Sequence, residues 1–133
     1  MLPAGNRMRR RAEFTEVVRR GRRAGRPFVV AHLLTRPETS EPPRVGFVVS
    51  RAVGNAVVRN KVERRLRHIL ADRRKVLPAG SLLVVRANPR SATASFQDLT
   101  VDVERVLHRL VRPEAAAEGV SSESKPSETG AGR

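Results

Sequence analysis

The spacing of hydrophobic positions changes several times along the chain, and each change marks a predicted element. Near the start, Phe14, Val17 and Val18 fall on one side of a helix, and the glycine after it suits a helix end. Runs rich in Val, Leu and Phe, bounded by turn residues, predict strands. The predicted elements are a helix Arg9–Arg20, a strand Pro27–Arg36, a strand Arg44–Ser50, a helix from Ala56 to about Lys75, a strand Ser81–Ala87 and a helix from about Phe96 to Val111.

This order predicts an α+β fold, a two-layer sandwich of order α-β-β-α-β-α in which helices cover a mixed sheet of three or four strands. A polar loop joins Pro27–Arg36 to Arg44–Ser50, so we expect these strands to form an antiparallel hairpin. A helix joins Arg44–Ser50 to Ser81–Ala87, so these two should be parallel, with the right-handed crossover that general rules favour. The almost wholly apolar Ser81–Ala87 should be covered on both faces.

The final stretch of the chain differs in composition from the rest. After Pro113 there is no periodicity, and four Glu stand against Lys125 and Arg133, for a net charge of −2. We therefore predict one folded domain over residues 1–112 and a disordered polar tail over residues 113–133.

The positive charge is large and concentrated. There are 27 basic and 13 acidic side chains, a formal net charge of +14. The segments Arg7–Arg26 and Arg51–Lys75 each carry nine basic residues and two acidic ones. Such clusters repel themselves unless they meet a polyanion, so they indicate nucleic-acid binding. Because the patterns of DNA-binding folds are absent, we favour structured RNA, with a sheet surface for an unpaired strand.

Several other classes of protein are disfavoured. The chain has no Cys, which excludes disulfides and thiolate zinc sites and suits the cytoplasm, and no apolar run is long enough to cross a bilayer. No phosphate-binding glycine loop, His-Glu-x-x-His motif or nucleophile elbow is present. We interpret the scattered histidines as packed or surface residues, and the carboxylates of the last helix as a solvated face. These residues are His32, His68 and His108, and Asp98, Asp102 and Glu104.

The run from Arg44 to Arg67, Arg-Val-Gly-Phe-Val-Val-Ser-Arg-Ala-Val-Gly-Asn-Ala-Val-Val-Arg-Asn-Lys-Val-Glu-Arg-Arg-Leu-Arg, resembles the bacterial ribonuclease P protein family. That family has an Arg-Val-Gly strand, a Gly-Asn-Ala helix start and an Arg-Asn-Arg motif followed by further basic residues. The likeness includes a Phe14-x-x-x-Val18-x-x-Gly21 pattern and covers roughly Asn6 to Val111.

The chain departs from the family pattern at a few positions. Lys61 stands where Arg is commoner and loses bidentate geometry, and Glu63 stands where a basic residue is usual and should remove one RNA contact. Arg86 comes one residue before the family's Arg, so in an unchanged register it would point to the opposite face of the sheet. His32 replaces what is often Tyr, which keeps a planar group and adds pH sensitivity.

The resemblance implies a fold like one domain of a small-subunit ribosomal protein, with a left-handed βαβ crossover in place of the right-handed one. It also implies two binding sites. The residues expected to contact the catalytic RNA are Arg51, Asn55, Arg59, Asn60, Lys61, Arg64, Arg65, Arg67 and His68. A cleft between the first helix and the sheet is expected to hold the single-stranded 5′ leader of precursor tRNA, lined by Phe14, Val18, Phe28, Val30, His32, Phe47 and Val49.

The implied activity is removal of that leader by a ribonucleoprotein whose RNA subunit supplies the active site and binds most of the Mg2+. The protein, monomeric apart from the RNA, would contribute binding but no catalytic residue. Three alternatives stay open at this point: the cleft residues could be ordinary core, the chain could be a general RNA-binding or ribosome-associated protein, or it could be a self-sufficient nuclease.

Overall fold

A computed structural model of the protein describes residues 11–111, which form three α-helices and four strands. The predicted tail at residues 113–133 lies outside the described residues. The elements are α1 Arg11–Arg20, β1 Arg22–Gly25, β2 Val29–Thr35, β3 Arg44–Val48, α2 Ala56–Arg73, β4 Ser81–Ala87 and α3 Phe96–Val111, with 3-10 turns at Arg74–Val76 and Pro89–Thr93. None of the helices in residues 11–111 has the length and hydrophobicity that a membrane span requires.

The four strands form one mixed sheet in the order β1-β2-β4-β3. β3 pairs with β4 in parallel, as predicted, and α2 joins them. The predicted hairpin between β2 and β3 is wrong, because β4 lies between them and pairs antiparallel with β2. Six of the seven residues of β4 are buried, so a central position lets both of its apolar faces be covered. The left hand of the crossover stays a prediction of the family resemblance.

The first strand, β1, falls between the predicted helix Arg9–Arg20 and the predicted strand Pro27–Arg36, where the sequence pattern indicated no strand. Its residues Arg22–Gly25 have little intrinsic strand preference. It pairs antiparallel with β2 from Arg22↔Leu33 to Gly25↔Val30, and the Arg26 N–H donates to the carbonyl of Val29 at 2.8 Å. Pairing with the free edge of β2 therefore outweighs local preference.

The sheet has two unequal faces. On one, α2 and α3 pack over β2, β3 and β4, and the core there includes Val29, Ala31, Leu33, Val45, Leu83, Val85, Leu66, Ile69, Val103 and Val106. On the other, α1 is the one helix of the described residues that covers the sheet, and Val17 packs against Leu82 and Val84. Since strand side chains alternate between faces, Val30, His32 and Leu34 of β2 lie on the α1 side.

Asp102 is buried, with 3% of its surface exposed, so the prediction that it lies on a solvated face of the last helix is wrong. Its Oδ2 accepts the backbone N–H of Phe28 at 2.8 Å, and its Oδ1 accepts from Nε of Arg26 at 3.3 Å. These bonds tie α3 to the turn between β1 and β2, which explains why a carboxylate is tolerated in the interior.

Candidate RNA-binding surfaces

The outer face of α2 presents a stripe of polar and basic side chains to solvent. Asn60, Lys61, Arg64 and His68 are exposed on successive turns of the helix, while Val62, Leu66, Ile69 and Leu70 are buried beneath them. We call these four exposed residues the α2 face. Helix periodicity predicts the apolar side of α2 and places Asn60, Arg64, Arg67 and His68 opposite it, which the structure confirms except at the partly buried Arg67.

The loop before α2 extends the same exposed surface. Arg51 and Asn55 are exposed, and Oδ1 of Asn55 accepts the N–H of Val58 at 3.0 Å as the N-cap of α2. This confirms the N-terminus expected at the Gly-Asn-Ala motif. Asn55 therefore fixes where α2 begins.

Three of the arginines predicted to contact RNA are instead partly buried and bonded within the protein. Arg59 donates from Nε to the carbonyl of Gly54 at 3.1 Å, and Arg65 donates from Nη1 to the carbonyl of Ala94 at 3.0 Å. Arg67 pairs through Nη1 with Glu63 at 2.8 Å, and its side chain is 19% exposed. Glu63, which the resemblance flagged as unusual, thus holds Arg67 in an intramolecular ion pair.

Phe96, at the start of α3, borders the α2 face and was not predicted as a site residue. It is 42% exposed, and its ring meets that of His68 edge to face with centroids 5.8 Å apart. An exposed aromatic residue beside a basic helix can stack on a nucleotide base. The sequence offered one signal for this residue: Phe96 stands at the predicted start of a helix in a chain that has only four Phe.

The second surface lies where α1 crosses the sheet. Phe14 is half-buried against the cluster around Val17, and Val18 is 43% exposed one turn further along α1. Val30 is half-buried and His32 is buried on the strand surface of the same side. The structure thus brings four of the seven predicted cleft residues to one side of the sheet.

The other three predicted cleft residues, Phe28, Phe47 and Val49, do not lie there. All three are half-buried against the core beneath α2 and α3. Phe47 pairs with Val85, a core residue, so their side chains share the opposite face of the sheet. Phe28 precedes β2 in the turn, and Arg90 lies over its ring at 5.9 Å. This placement corrects their assignment to the cleft: Val48, the neighbour of Phe47 in β3, is the residue that faces α1, while Phe28 and Val49 lie outside the strands.

Residues outside the predicted cleft set complete the α1 side, among them Arg86, which shares the face of Val30 and His32. Val48 of β3 packs toward Val17, and Arg86, its neighbour on β4, pairs with Val30 of β2. Arg23 of β1 pairs directly with His32. We call the set Phe14, Val18, Arg23, Val30, His32, Val48 and Arg86 the open sheet surface, because among residues 11–111 α1 is the one helix that packs on this side.

His32 is the buried polar group of this surface. It is 5% exposed, and its Nδ1 has no hydrogen-bond partner within the described residues. Burial lowers the pKa of His32 below its usual 6.5, and the charges of Arg23 and Arg86 lower it further. The imidazole is therefore disposed to be neutral when no anion is nearby.

Most acidic residues among positions 11–111 form ion pairs with arginines. Six carboxylates form ion pairs, those of Glu13, Glu16, Glu41, Glu63, Asp102 and Glu104. No group of three or more His, Asp or Glu residues in positions 11–111 could hold a metal ion.

The fold and these surfaces define a class of protein: a small, basic α+β protein with an exposed cationic helix and a partly open sheet, suited to binding a polyanion. Comparison with known sequences narrows that class. The family model described as Ribonuclease P matches residues 2–111. The chain is 55% identical over 118 residues to the ribonuclease P protein component of Streptomyces avermitilis, covering 84% of this chain and 96% of that protein. It is 56% identical over 111 residues to the one from Nocardioides sp., covering 83% and 95%.

The chain therefore belongs to the ribonuclease P protein family. Solved structures agree with the fold. The RNase P protein of Staphylococcus aureus superposes with a TM-score of 0.71 at 24% identity, covering 78% of this chain and 94% of that one. The protein from Thermotoga maritima gives a TM-score of 0.65 at 25% identity, covering 80% and 96%. The α+β fold predicted from the sequence is thus confirmed.

Proposed function

We propose that this chain is the protein subunit of ribonuclease P, which binds the catalytic RNA and the 5′ leader of precursor tRNA and so promotes removal of the leader. The observation that supports this proposal is that the chain, a member of the ribonuclease P protein family, carries two exposed cationic surfaces on different elements. One surface would serve the RNA subunit and the other the substrate.

The α2 face is the better candidate for the catalytic RNA. Its exposed Lys61, Arg64 and His68 lie on one helix, and the carboxylate between them, that of Glu63, is already paired with Arg67, so the cations can approach phosphates that a folded RNA holds at fixed spacing. Arg51 extends this surface at the N-terminal end of the helix. The neighbouring Phe96 adds an aromatic ring for a base that is not paired.

The open sheet surface is the better candidate for the unpaired leader. It combines apolar and aromatic groups, Phe14, Val18 and Val30, with the cations Arg23 and Arg86. Stacking and backbone charge are insensitive to base identity, which suits a subunit that must accept many leader sequences. Holding the leader would raise substrate affinity without any chemistry by the protein.

Catalysis itself we assign to the RNA subunit, which would also bind most of the Mg2+. This chain would neutralise phosphates and position the substrate, acting as one copy in the cytoplasm. Neutralisation by arginines should lower the salt concentration that the RNA needs for folding and substrate binding.

The test is cleavage of a precursor tRNA at low Mg2+ by the catalytic RNA alone, by the protein alone and by both together. The proposal expects no cleavage by the protein alone and strong stimulation of the RNA by the protein. Absence of stimulation would favour a general RNA-binding protein, and cleavage by the protein alone would favour a self-sufficient nuclease.

Single substitutions separate the two surfaces. Arg64→Gln should weaken binding of the catalytic RNA, whereas Arg109→Gln, which removes an exposed charge from α3, should leave it nearly unchanged. Phe14→Ala should lower affinity for precursor tRNA and leave affinity for leaderless tRNA unaltered. Equal effects of Arg64→Gln and Arg109→Gln would contradict the assignment of the α2 face.

A further inference from the structure

We propose that Arg23, His32 and Arg86 form a proton-linked phosphate site on the open sheet surface, where His32 takes up a proton as a backbone phosphate of an unpaired RNA strand binds. This inference rests on the proposed role of the surface in holding the leader. It adds a specific contact and a regulation by pH to that role.

The strand register brings the three residues together. Arg23 of β1 is the direct cross-strand partner of His32 on β2, and His32 is in turn the partner of Val84 on β4. Arg86 lies two residues beyond Val84 and therefore projects from the same face of the sheet. Directly paired positions have Cβ atoms about 5 Å apart and diagonal ones about 7–8 Å, within reach of a guanidinium. Three neighbouring strands thus contribute one potential cation each.

The two arginines of this set have no carboxylate partner in residues 11–111. Arg23 and Arg86 are exposed and form neither an ion pair nor a side-chain hydrogen bond there. The neighbouring arginines behave differently: Arg20 pairs with Glu16, Arg22 donates to the carbonyl of Leu110, Arg26 pairs with Asp102 and Arg44 pairs with Glu13. Two unpaired guanidinium groups on one face are a suitable cradle for a phosphate.

Within residues 11–111, His32 has no acidic neighbour to stabilise its charged form. The charged groups that face it are Arg23 from β1 and Arg86 from β4. Strands β1, β2 and β4 contain no Asp or Glu, and α1, which packs on the same side, has both of its carboxylates engaged by arginines. Asp102 bonds to the turn before β2 and lies on the α3 side. A proton on His32 would therefore create a third cation among two unpaired ones.

A phosphate reverses this balance. Its negative charge offsets those of Arg23 and Arg86, whose field disfavours a proton on His32, and so favours imidazolium over neutral imidazole. Binding and protonation are then coupled, so each must strengthen the other. Affinity for the leader should rise as the pH falls, by about tenfold for each unit by which binding raises the pKa of His32. A histidine that is merely packed in the core would show no such coupling.

The experiment measures binding of the reconstituted holoenzyme to a precursor tRNA with a blocked cleavage site, and to the same tRNA without a leader, from pH 8 to pH 5.5. The ratio of the two affinities isolates the leader contribution. We expect this ratio to rise as the pH falls in the wild type and in Arg109→Gln, and to be flat in His32→Gln. Arg86→Gln should lower the ratio at every pH and reduce the slope of log affinity against log salt by about 1.

A ratio that exceeds one but does not change with pH, or that changes equally in wild type and His32→Gln, would overturn this inference and leave the proposed function intact. A ratio of one at every pH would instead overturn the proposed leader-binding role itself. Because His32 is buried and its replacement could perturb folding, the pKa of His32 in the wild-type chain is also measured by NMR, with and without a short single-stranded RNA. An unchanged pKa on saturation with that RNA would refute the linkage.

Discussion

The buried carboxylate of Asp102 supports the hairpin that carries Arg23 and His32, and its removal should destabilise the protein. In Asp102→Ala, the backbone N–H of Phe28 loses its acceptor at 2.8 Å, and Nε of Arg26 loses its partner at 3.3 Å. Asp102 is 3% exposed, so within the described structure little solvent is at hand to replace these bonds. The turn between β1 and β2 would then be held to α3 by packing alone.

The magnitude follows from the two lost contacts. A buried donor without an acceptor costs about 1–3 kcal/mol. The side chain of Arg26 is 36% exposed, so water can partly solvate it and its loss adds about 1 kcal/mol or less. We therefore expect Asp102→Ala to lower the free energy of unfolding by about 1–4 kcal/mol. Asp102→Asn keeps an acceptor for Phe28 and should cost about half as much.

Urea denaturation followed by circular dichroism measures these differences. Glu104→Gln is the matched control, because Glu104 sits two residues away on α3 and pairs with Arg73 at 2.8 Å while remaining exposed. That pair should contribute at most about 1 kcal/mol. If Asp102→Ala and Glu104→Gln proved equally mild, burial of the Asp102 bonds could not be what stabilises the hairpin.

Three further outcomes are expected from the same kind of measurement. Asn55→Ala removes the N-cap of α2 and should lower the free energy of unfolding by about 1 kcal/mol, whereas Asn55→Asp keeps a capping oxygen and should lower it little. Equal melting temperatures of the two variants would contradict the capping role. Gly80→Ala should lower the free energy of unfolding by about 1–3 kcal/mol, because φ of Gly80 is +82° and a Cβ would collide with the carbonyl oxygen of Arg36. The control is Gly25→Ala, whose Cβ would meet nothing closer than 3.8 Å, and the urea midpoints of the two variants are compared. Because folding lowers the pKa of His32 below 6.5, the unfolded chain binds that proton more readily, so the stability contributed by neutral His32 is complete above pH 6.5 and is lost as the pH falls below it. The slope should be at most about 1.4 kcal/mol per pH unit and absent in His32→Gln, as unfolding curves between pH 7.5 and 5.5 would show.

Much of the local structure and of the α2 face could be predicted from the sequence. Helix periodicity alone places Val62 and Leu66 inside and Arg64 and His68 outside, and Asn55 marks the start of α2 through its own short-range bond. The parallel relation of β3 and β4 follows from the helix that joins them. These features depend on residues close together in the chain, or on connections that the chain itself makes.

The open sheet surface depended on contacts that no local pattern contains. The residues that form it differ from those predicted, because β4 lies between β2 and β3. This strand order sets Arg86 beside Val30, and the register with β4 places Phe47 on the core side. The burial of Asp102 likewise depends on a turn that lies 74 residues earlier in the chain.

By itself, then, the sequence determined the helices, three of the four strands, the basic face of α2, the α+β class and the family, because periodicity, capping, charge clustering and the family motif are local properties. The tertiary structure alone decided the strand order, the residues on the α1 side and the charged neighbours of His32. The physical reason is that side chains in a strand alternate at every residue, so a shift of one position in register, set by pairing between distant segments, moves a residue from the core to the binding surface.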